Sequence, residues 1–336
     1  MRIGNLYGPD ATFLGVPAAD PEDLAQWSNA QALIIGAPFD GGTSHRAGCR
    51  FGPQAIRLTD YLPHDGKRPS LALGLDPLVE LGVVDLGDVE MPSGETEKSL
   101  ALLEERVAAV AGAGVIPVVL GGDHTIALSD VRGVARHVGF GRVSVIHFDA
   151  HADTGDSQMG SLYGHGTPMR RLIESGACRG DRFLQVGLRG YWPEPATLGW
   201  MAAQGMRSFE MSEVVSRGLD AVLSEAIERA MDDCDAVFLS VDIDVVDPGS
   251  APGTGTPEPG GLTSRQLLDA VRRIAMEVPL AGVDVVEVSP PYDHAEITAY
   301  LANRVVLEAL GGLAWRRRAE RGETRRTPGD PLLKDR

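Results

Sequence analysis

Seven short apolar runs, rich in Val, Ile and Leu and barely interrupted by polar residues, recur along the chain: ALIIG (32–36), VVDL (83–86), VIPVVL (115–120), VSVIHF (143–148), FLQVGL (183–188), AVFLSV (236–241) and VDVVEV (283–288). A strand with one wet face alternates apolar and polar residues. Runs without that alternation belong to strands covered on both faces. Between several runs the apolar period changes. Residues 96–111 place Leu100, Leu103, Val107 and Val110 at three- and four-residue spacing, and 264–275 and 295–310 behave likewise, as amphipathic helices do. Strands alternating with helices imply long crossovers, hence an α/β protein on a mostly parallel sheet with helices on both faces. No repeat or low-complexity linker divides the chain, and the Gly/Pro-rich stretch 248–261 follows a strand directly, so it reads as an ordered loop. We therefore expect an N-terminal extension over residues 1–30, one domain over 31–312, and a charged, flexible tail over 313–336.

Three of the runs end in polar residues of one kind. VIPVVL leads into Gly-Gly-Asp-His, reaching Asp123 and His124; VSVIHF leads into Asp149, His151 and Asp153; AVFLSV leads into Asp242 and Asp244. Open α/β sheets place their ligands at the carboxyl ends of parallel strands. Alternate residues on a strand point the same way, so Asp149 and His151 face one point and Asp153 reaches it as the chain turns off the sheet. Asp242 and Asp244 do the same.

Four carboxylates and two imidazoles then crowd together. Like charges about 4 Å apart repel by roughly 4 kcal/mol per pair at an effective dielectric near 20. Two divalent cations would cancel that charge, and six ligands exceed the four that a single zinc-type site takes. The oxygen-dominated set favours Mn²⁺, with Ni²⁺ or Co²⁺ tolerated by the imidazoles. Two further residues attract attention: His165, on a glycine-flanked loop, and Glu287, a carboxylate within an otherwise apolar strand. His45, His64, His137 and His294 read as surface or packing residues.

Charge narrows the partners. The formal net charge is −16, although the segment 316–336 holds eight basic residues against four acidic ones. A body this acidic repels phosphate backbones, so nucleic acid is not expected as a partner, and cations are favoured visitors. Three scattered cysteines, Cys49, Cys178 and Cys234, suggest a reducing compartment, and no membrane span or signal-like leader is evident, so we expect a cytoplasmic protein. GxSxG, HExxH, P-loop and strand-borne GxGxxG motifs do not occur, which removes sequence support for several common enzyme classes. A two-metal phosphoesterase would want basic residues near the carboxylates, and the motifs supply none. A non-catalytic subunit would have little use for the complete ligand set.

Taken together, GGDHT (121–125), HFDAHAD (147–153), HGTP (165–168), SVDIDVVDP (240–248), GTGTPEPGG (253–261) and DVVEVSPP (284–291) resemble the arginase/agmatinase ureohydrolases. The early segment GGTSHRAGCRFGP (41–53) resembles the family too, although Ala47 and Cys49 stand where we expect Pro and Ala. The resemblance implies a three-layer α/β/α fold and trimers or hexamers. It implies one Mn²⁺ on His124, Asp149, Asp153 and Asp242 and a second on Asp149, His151, Asp242 and Asp244. It makes His165 a proton shuttle and Glu287 the guanidinium-binding carboxylate, and puts Thr256 near the guanidinium. Asp153 would help stabilise the tetrahedral intermediate. The implied reaction is hydrolysis of a guanidino C–N bond to urea and an amine. GTPMRR and DIDVVDP look most like the agmatinase branch, hence agmatine to putrescine and urea, with 4-guanidinobutyrate, another guanidino acid or free guanidine as alternatives. Arg171 and Arg189 are candidates for reading a carboxylate tail, but structural ion pairing is the expectation for both.

Overall fold

The structure is a computed structural model that describes residues 4–323 and 326–333. Its centre is one eight-stranded sheet: β1 (Ala32–Gly36), β2 (Val84–Asp88), β3 (Ile116–Leu120), β4 (Val143–Phe148), β5 (Cys178–Leu188), β6 (Arg207–Glu210), β7 (Ala236–Asp242) and β8 (Leu280–Val286). The spatial order is β2-β1-β3-β8-β7-β4-β5-β6, and every pairing is parallel. All seven apolar runs lie on strands of this sheet. β6 was not anticipated. It is a four-residue edge strand in which only Phe209 is buried, so it lacks the continuous apolar signature of its neighbours.

The strand side chains feed two separate cores, as the pleat requires. On β1, Ala32 and Ile34 join one cluster while Leu33 and Ile35 join the other; on β3, Val118 and Leu120 part from Val119 in the same way. Helices Leu219–Met231, Ser264–Glu277 and Ile297–Glu320 cover the first face, through Leu223, Val271 and Val306 among others. Helices Thr96–Gly112, Ala127–Val138 and Pro168–Glu174 cover the second, through Leu103, Val134 and Leu172. The result is the expected three-layer α/β/α arrangement.

Local signals set the helix limits. Ser264–Glu277 starts at a capping box, in which the Thr263 hydroxyl accepts from the Gln266 N–H and the Gln266 side chain accepts from the Thr263 N–H. Such a cap stabilises a helix by about 1 kcal/mol. The last helix passes the expected boundary at residue 312 and runs to Glu320, because its apolar face continues through the buried Leu313 and Ala314. The basic residues beyond it are partly committed: Arg318 and Arg321 both pair with Glu80, at 2.7 and 2.6 Å. The rest of the expected tail falls in part on 324–325 and 334–336, outside the described residues. At the other terminus, Phe13, Leu14, Val16 and Trp27 are buried in the two cores, so residues before β1 pack as part of the domain.

One buried ion cluster ties that terminal segment to the sheet. Arg57 is wholly buried; its Nε lies 2.9 Å from Asp85 Oδ2 and its Nη1 reaches Asp88 Oδ1. Asp85 Oδ2 also accepts the Phe13 N–H at 2.8 Å. Removing one partner from a buried pair leaves the other charge without compensation. Arg57→Met is therefore expected to cost about 3–5 kcal/mol in urea unfolding; a loss under about 1 kcal/mol would mean that the cluster contributes little.

Candidate metal centre

The sheet order brings distant motifs together. β3, β8, β7 and β4 are consecutive neighbours, so the segments leaving their carboxyl ends share one crevice. After β3, Gly122 permits the close crossing: a Cβ there would lie 1.7 Å from the Phe39 carbonyl oxygen. That passage delivers His124 to the centre. Its Nδ1 lies 3.0 Å from Asp149 Oδ2, 3.2 Å from Asp153 Oδ2 and 3.1 Å from Asp242 Oδ2. Beside it, His151 Nδ1 lies 3.0 Å from Asp244 Oδ2 and 3.5 Å from Asp149 Oδ1. All six residues named from the strand ends converge, and Asp149 stands between the two imidazoles. Five of them are buried, and His151 is partly exposed.

Several oxygens are pinned by the backbone. Asp149 Oδ1 accepts the His151 N–H, Asp244 Oδ1 accepts the Ala150 N–H at 3.1 Å, and Asp242 Oδ1 accepts the Asp244 N–H at 2.8 Å. Their partners differ: Asp149 Oδ2 and Asp244 Oδ2 are buried, take no backbone N–H, and among the described residues face only ring nitrogens, at 2.9–3.0 Å. A buried carboxylate oxygen with vacant lone pairs calls for a cation. The imidazoles register the same demand. Burial opposes charge on His151, yet Asp244 and Asp149 outweigh it and push its pKa up to about 12. His124 is likewise driven well upward by Asp149, Asp153 and Asp242 against the cost of burial. The donor set of four carboxylates and two imidazoles thus fits two divalent ions. Two ligand groupings can be drawn, His124, His147, Asp149 and Asp153, and Asp149, His151 and Asp244, with Asp149 common to both.

His147 joins the cluster in addition to the six residues named from the strand ends. It continues the alternation of 149, 151 and 153 backwards by one step, and that period was the signal available in the sequence. Its Nε2 lies 2.9 Å from Asp149 Oδ2, while Gln185 Nε2 stands 3.2 Å from its Nδ1. Asp123 serves the loop instead, accepting from the Gly42 N–H at 2.7 Å and the Thr125 N–H at 3.0 Å. Behind the centre, His124 Nε2 meets Ser240 Oγ at 2.9 Å, and that hydroxyl donates to Asp284 Oδ1 at 2.7 Å. Such outer contacts fix the orientation of a ligating ring.

A cavity of about 210 Å³ opens beside the cluster, lined by Ser44, His151, Asp153, Gln158, His165, Gly166, Trp192, Asp242, Thr256 and Glu287. Glu287 directly follows β8 with a left-handed backbone (φ 63°), and Asp153 is also left-handed (φ 52°). Positive φ at non-glycine residues costs on the order of 1–2 kcal/mol and tends to mark functional positions. Glu287 Oε1 accepts the His124 N–H at 2.8 Å and lies 2.9 Å from His165 Nδ1. Burial disfavours charge on His165, but Glu287 prevails and pushes its pKa up to about 9. The Ser44 N–H, 3.1 Å from His165 Nε2, pulls the other way by asking that nitrogen to accept. Both influences leave a hydrogen on Nδ1, facing Glu287.

The remaining candidates are accounted for. Thr256 lines the cavity. Arg171 pairs with Asp156 at 3.2 Å and Glu174 at 3.0 Å. Arg189 departs from the expected ion pair: it donates to the carbonyl oxygens of Asp244 at 2.7 Å, Glu258 at 2.6 Å and Val245 at 3.2 Å, fastening the 248–261 loop to the end of β7. His45, His64, His137 and His294 are exposed. Among the described residues, no helix is long and apolar enough to cross a membrane.

A three-layer α/β/α fold with such a cluster at the carboxyl edge of its sheet defines a candidate metal-dependent hydrolase. The family model "Arginase family" matches residues 30–311, and the chain belongs to the arginase family. It is 40% identical over 305 residues to a guanidinopropionase of Pseudomonas aeruginosa, covering 90% of this chain and 91% of that one. It is 38% identical over 309 residues to an agmatinase of Edwardsiella ictaluri, covering 92% and 94%. The solved proclavaminate amidinohydrolase of Streptomyces clavuligerus superposes with a TM-score of 0.82 at 35% identity, covering 92% of this chain and 99% of that one. The chain is accordingly a ureohydrolase of this family, acting on guanidino compounds.

Proposed function

We propose that the substrate is agmatine, hydrolysed to putrescine and urea on two Mn²⁺ ions. The observation that carries this choice is the composition of the cavity wall: apart from Asp153, Asp242 and Glu287, which the ions and the guanidinium would engage, its lining among the described residues holds no Lys or Arg. A tail ending in ammonium suits such a wall, whereas a carboxylate tail finds no cation there. Identity to relatives does not separate the two classes, since the guanidinopropionase and the agmatinase match almost equally well.

His124, Asp149, Asp153 and Asp242 would hold one ion, and Asp149, His151, Asp242 and Asp244 the other. When bound, the ions neutralise the carboxylates and supply an acidified water as nucleophile. The chain's own groups do the rest. Glu287 binds the guanidinium. Its Oε1 already serves two donors, so Oε2 is the oxygen that meets a substrate N–H. One strong contact is therefore expected there instead of a two-pronged fork. His165 holds a proton at Nδ1 and, with Ser44 Oγ 2.7 Å from its other nitrogen, can pass one to the departing amine as the C–N bond breaks. Asp153 and Thr256 complete the wall around the guanidino carbon. The same reading makes the protein a cytoplasmic homo-oligomer, trimer or hexamer, with no nucleic-acid or membrane partner; three unpaired cysteines support a reducing compartment.

The deciding experiment measures urea release by Mn²⁺-loaded enzyme from agmatine, 4-guanidinobutyrate, 3-guanidinopropionate, arginine and guanidine, with Ni²⁺ and Co²⁺ in parallel. Agmatine is expected to show the highest kcat/KM. A higher value with any guanidino acid or with free guanidine would overturn the assignment of substrate.

A further inference from the structure

Cys49 stands outside the ligand set, yet it touches the substrate-binding carboxylate. Its Sγ lies 3.2 Å from Glu287 Oε2. Cys49 is 0% exposed and Glu287 1%, so neither group can exchange this contact for water. The thiol sits at the start of a short helical turn whose flanks are fixed by one carboxylate. Asp40 Oδ2 accepts the Gly48 N–H at 3.0 Å, and Asp40 Oδ1 accepts from Arg50 Nε at 2.6 Å. Asp40 therefore holds the backbone just before Cys49 and the side chain just after it.

Counting donors shows what the thiol contributes. A carboxylate oxygen accepts about two hydrogen bonds. Glu287 Oε1 has the His124 N–H and the His165 ring nitrogen, while the thiol is the only protein donor at Oε2 among the described residues. Burial first, then the charge of Glu287, raise the Cys49 pKa well above its ordinary value, so the sulfur keeps its hydrogen. The S–H can only donate towards Oε2, leaving that oxygen one lone pair for a ligand.

We propose that Cys49 is a positioning residue: its thiol donates to Glu287 Oε2 and so turns the one remaining acceptor site of that carboxylate towards the substrate guanidinium. This rests on the guanidinium-binding role given to Glu287 above. Alanine, the residue expected at this position from the family resemblance, would leave Oε2 without a protein donor and the carboxylate freer to rotate.

The test uses Mn²⁺-loaded full-length enzyme and three chains: wild type, Cys49→Ala and Cys49→Ser. With the best guanidino substrate, Cys49→Ala is expected to raise KM about three- to tenfold with kcat within about twofold, as loss of a weak donor to a charged acceptor should. Cys49→Ser keeps a donor and is expected to recover most of that loss. Packing alone would not separate KM from kcat, nor favour Ser over Ala. Infrared spectroscopy of the S–H stretch supplies a readout independent of turnover, with Cys178 and Cys234 as internal references. A band at lower frequency than theirs is expected, absent in Cys49→Ser and moved upward in Glu287→Gln. An unchanged KM in Cys49→Ala, or a Cys49 band indifferent to Glu287→Gln, would overturn the role of the thiol while leaving the ureohydrolase reading intact. Failure of the wild type to release urea from any guanidino compound would instead remove both.

Discussion

Asp149→Asn and Asp244→Asn will each lower kcat by more than about a hundredfold and reduce the divalent metal retained per chain. The expected size follows from the finding that losing even an outer contact to a metal ligand costs 10- to 100-fold. Both substitutions are nearly isosteric, and each carboxylate has one oxygen engaged by a backbone N–H: His151 N–H on Asp149 and Ala150 N–H on Asp244. An amide oxygen can keep that bond, so the fold should survive, as circular dichroism would confirm. What vanishes is the negative charge at Oδ2, the buried oxygen that ring nitrogens face in both residues and no backbone N–H reaches. Asp149 belongs to both ligand groupings and Asp244 to one, so Asp149→Asn should release more metal. Dialysis of the wild type against EDTA should abolish urea release, and Mn²⁺ should restore it. Full activity in either variant, or in protein shown to be free of metal, would contradict the two-metal reading.

Glu287→Gln will raise KM by about ten- to a hundredfold, the range expected for a hydrogen bond to a charged partner. The loss has a second component. Glu287 Oε1 faces the His124 N–H and the His165 ring, and a glutamine NH2 turned that way would set donor against donor. Turned the other way, it meets the Cys49 thiol. Glu287 is also what holds the His165 pKa up near 9 against burial. Without that charge the folded-state pKa falls, the ring gives up its proton at lower pH, and the alkaline limb of kcat should shift downward. Unchanged KM, kcat and pH profile would take Glu287 out of the site.

Much of the centre was legible because its pieces are local. Asp149, His151 and Asp153 lie within five residues of each other, as do Asp242 and Asp244, and the period of two along a strand reveals their common direction. His147 obeys the same period and was passed over because it lies inside the apolar run, where a polar residue is easily counted as part of the strand. β6 was missed for the opposite reason: as a short edge strand it needs little apolar sequence, and Phe209 alone cannot announce it. The expected domain limit at residue 312 falls inside the last helix, which continues because Leu313 and Ala314 have a core to enter.

The sequence by itself determined the layered α/β class and the strand ends that carry the six clustered His and Asp side chains, because backbone periodicity and motif spacing are short-range properties. Tertiary structure alone decided that β3, β8, β7 and β4 stand side by side, which is what turns three motifs into one centre. It alone set Cys49 against Glu287 across 238 positions, His165 against the same carboxylate across 122, and Arg189 among backbone carbonyls in place of an acidic partner. Such contacts depend on which strand packs beside which, a choice made by the burial of both faces of the whole sheet at once, and no local pattern of residues encodes it.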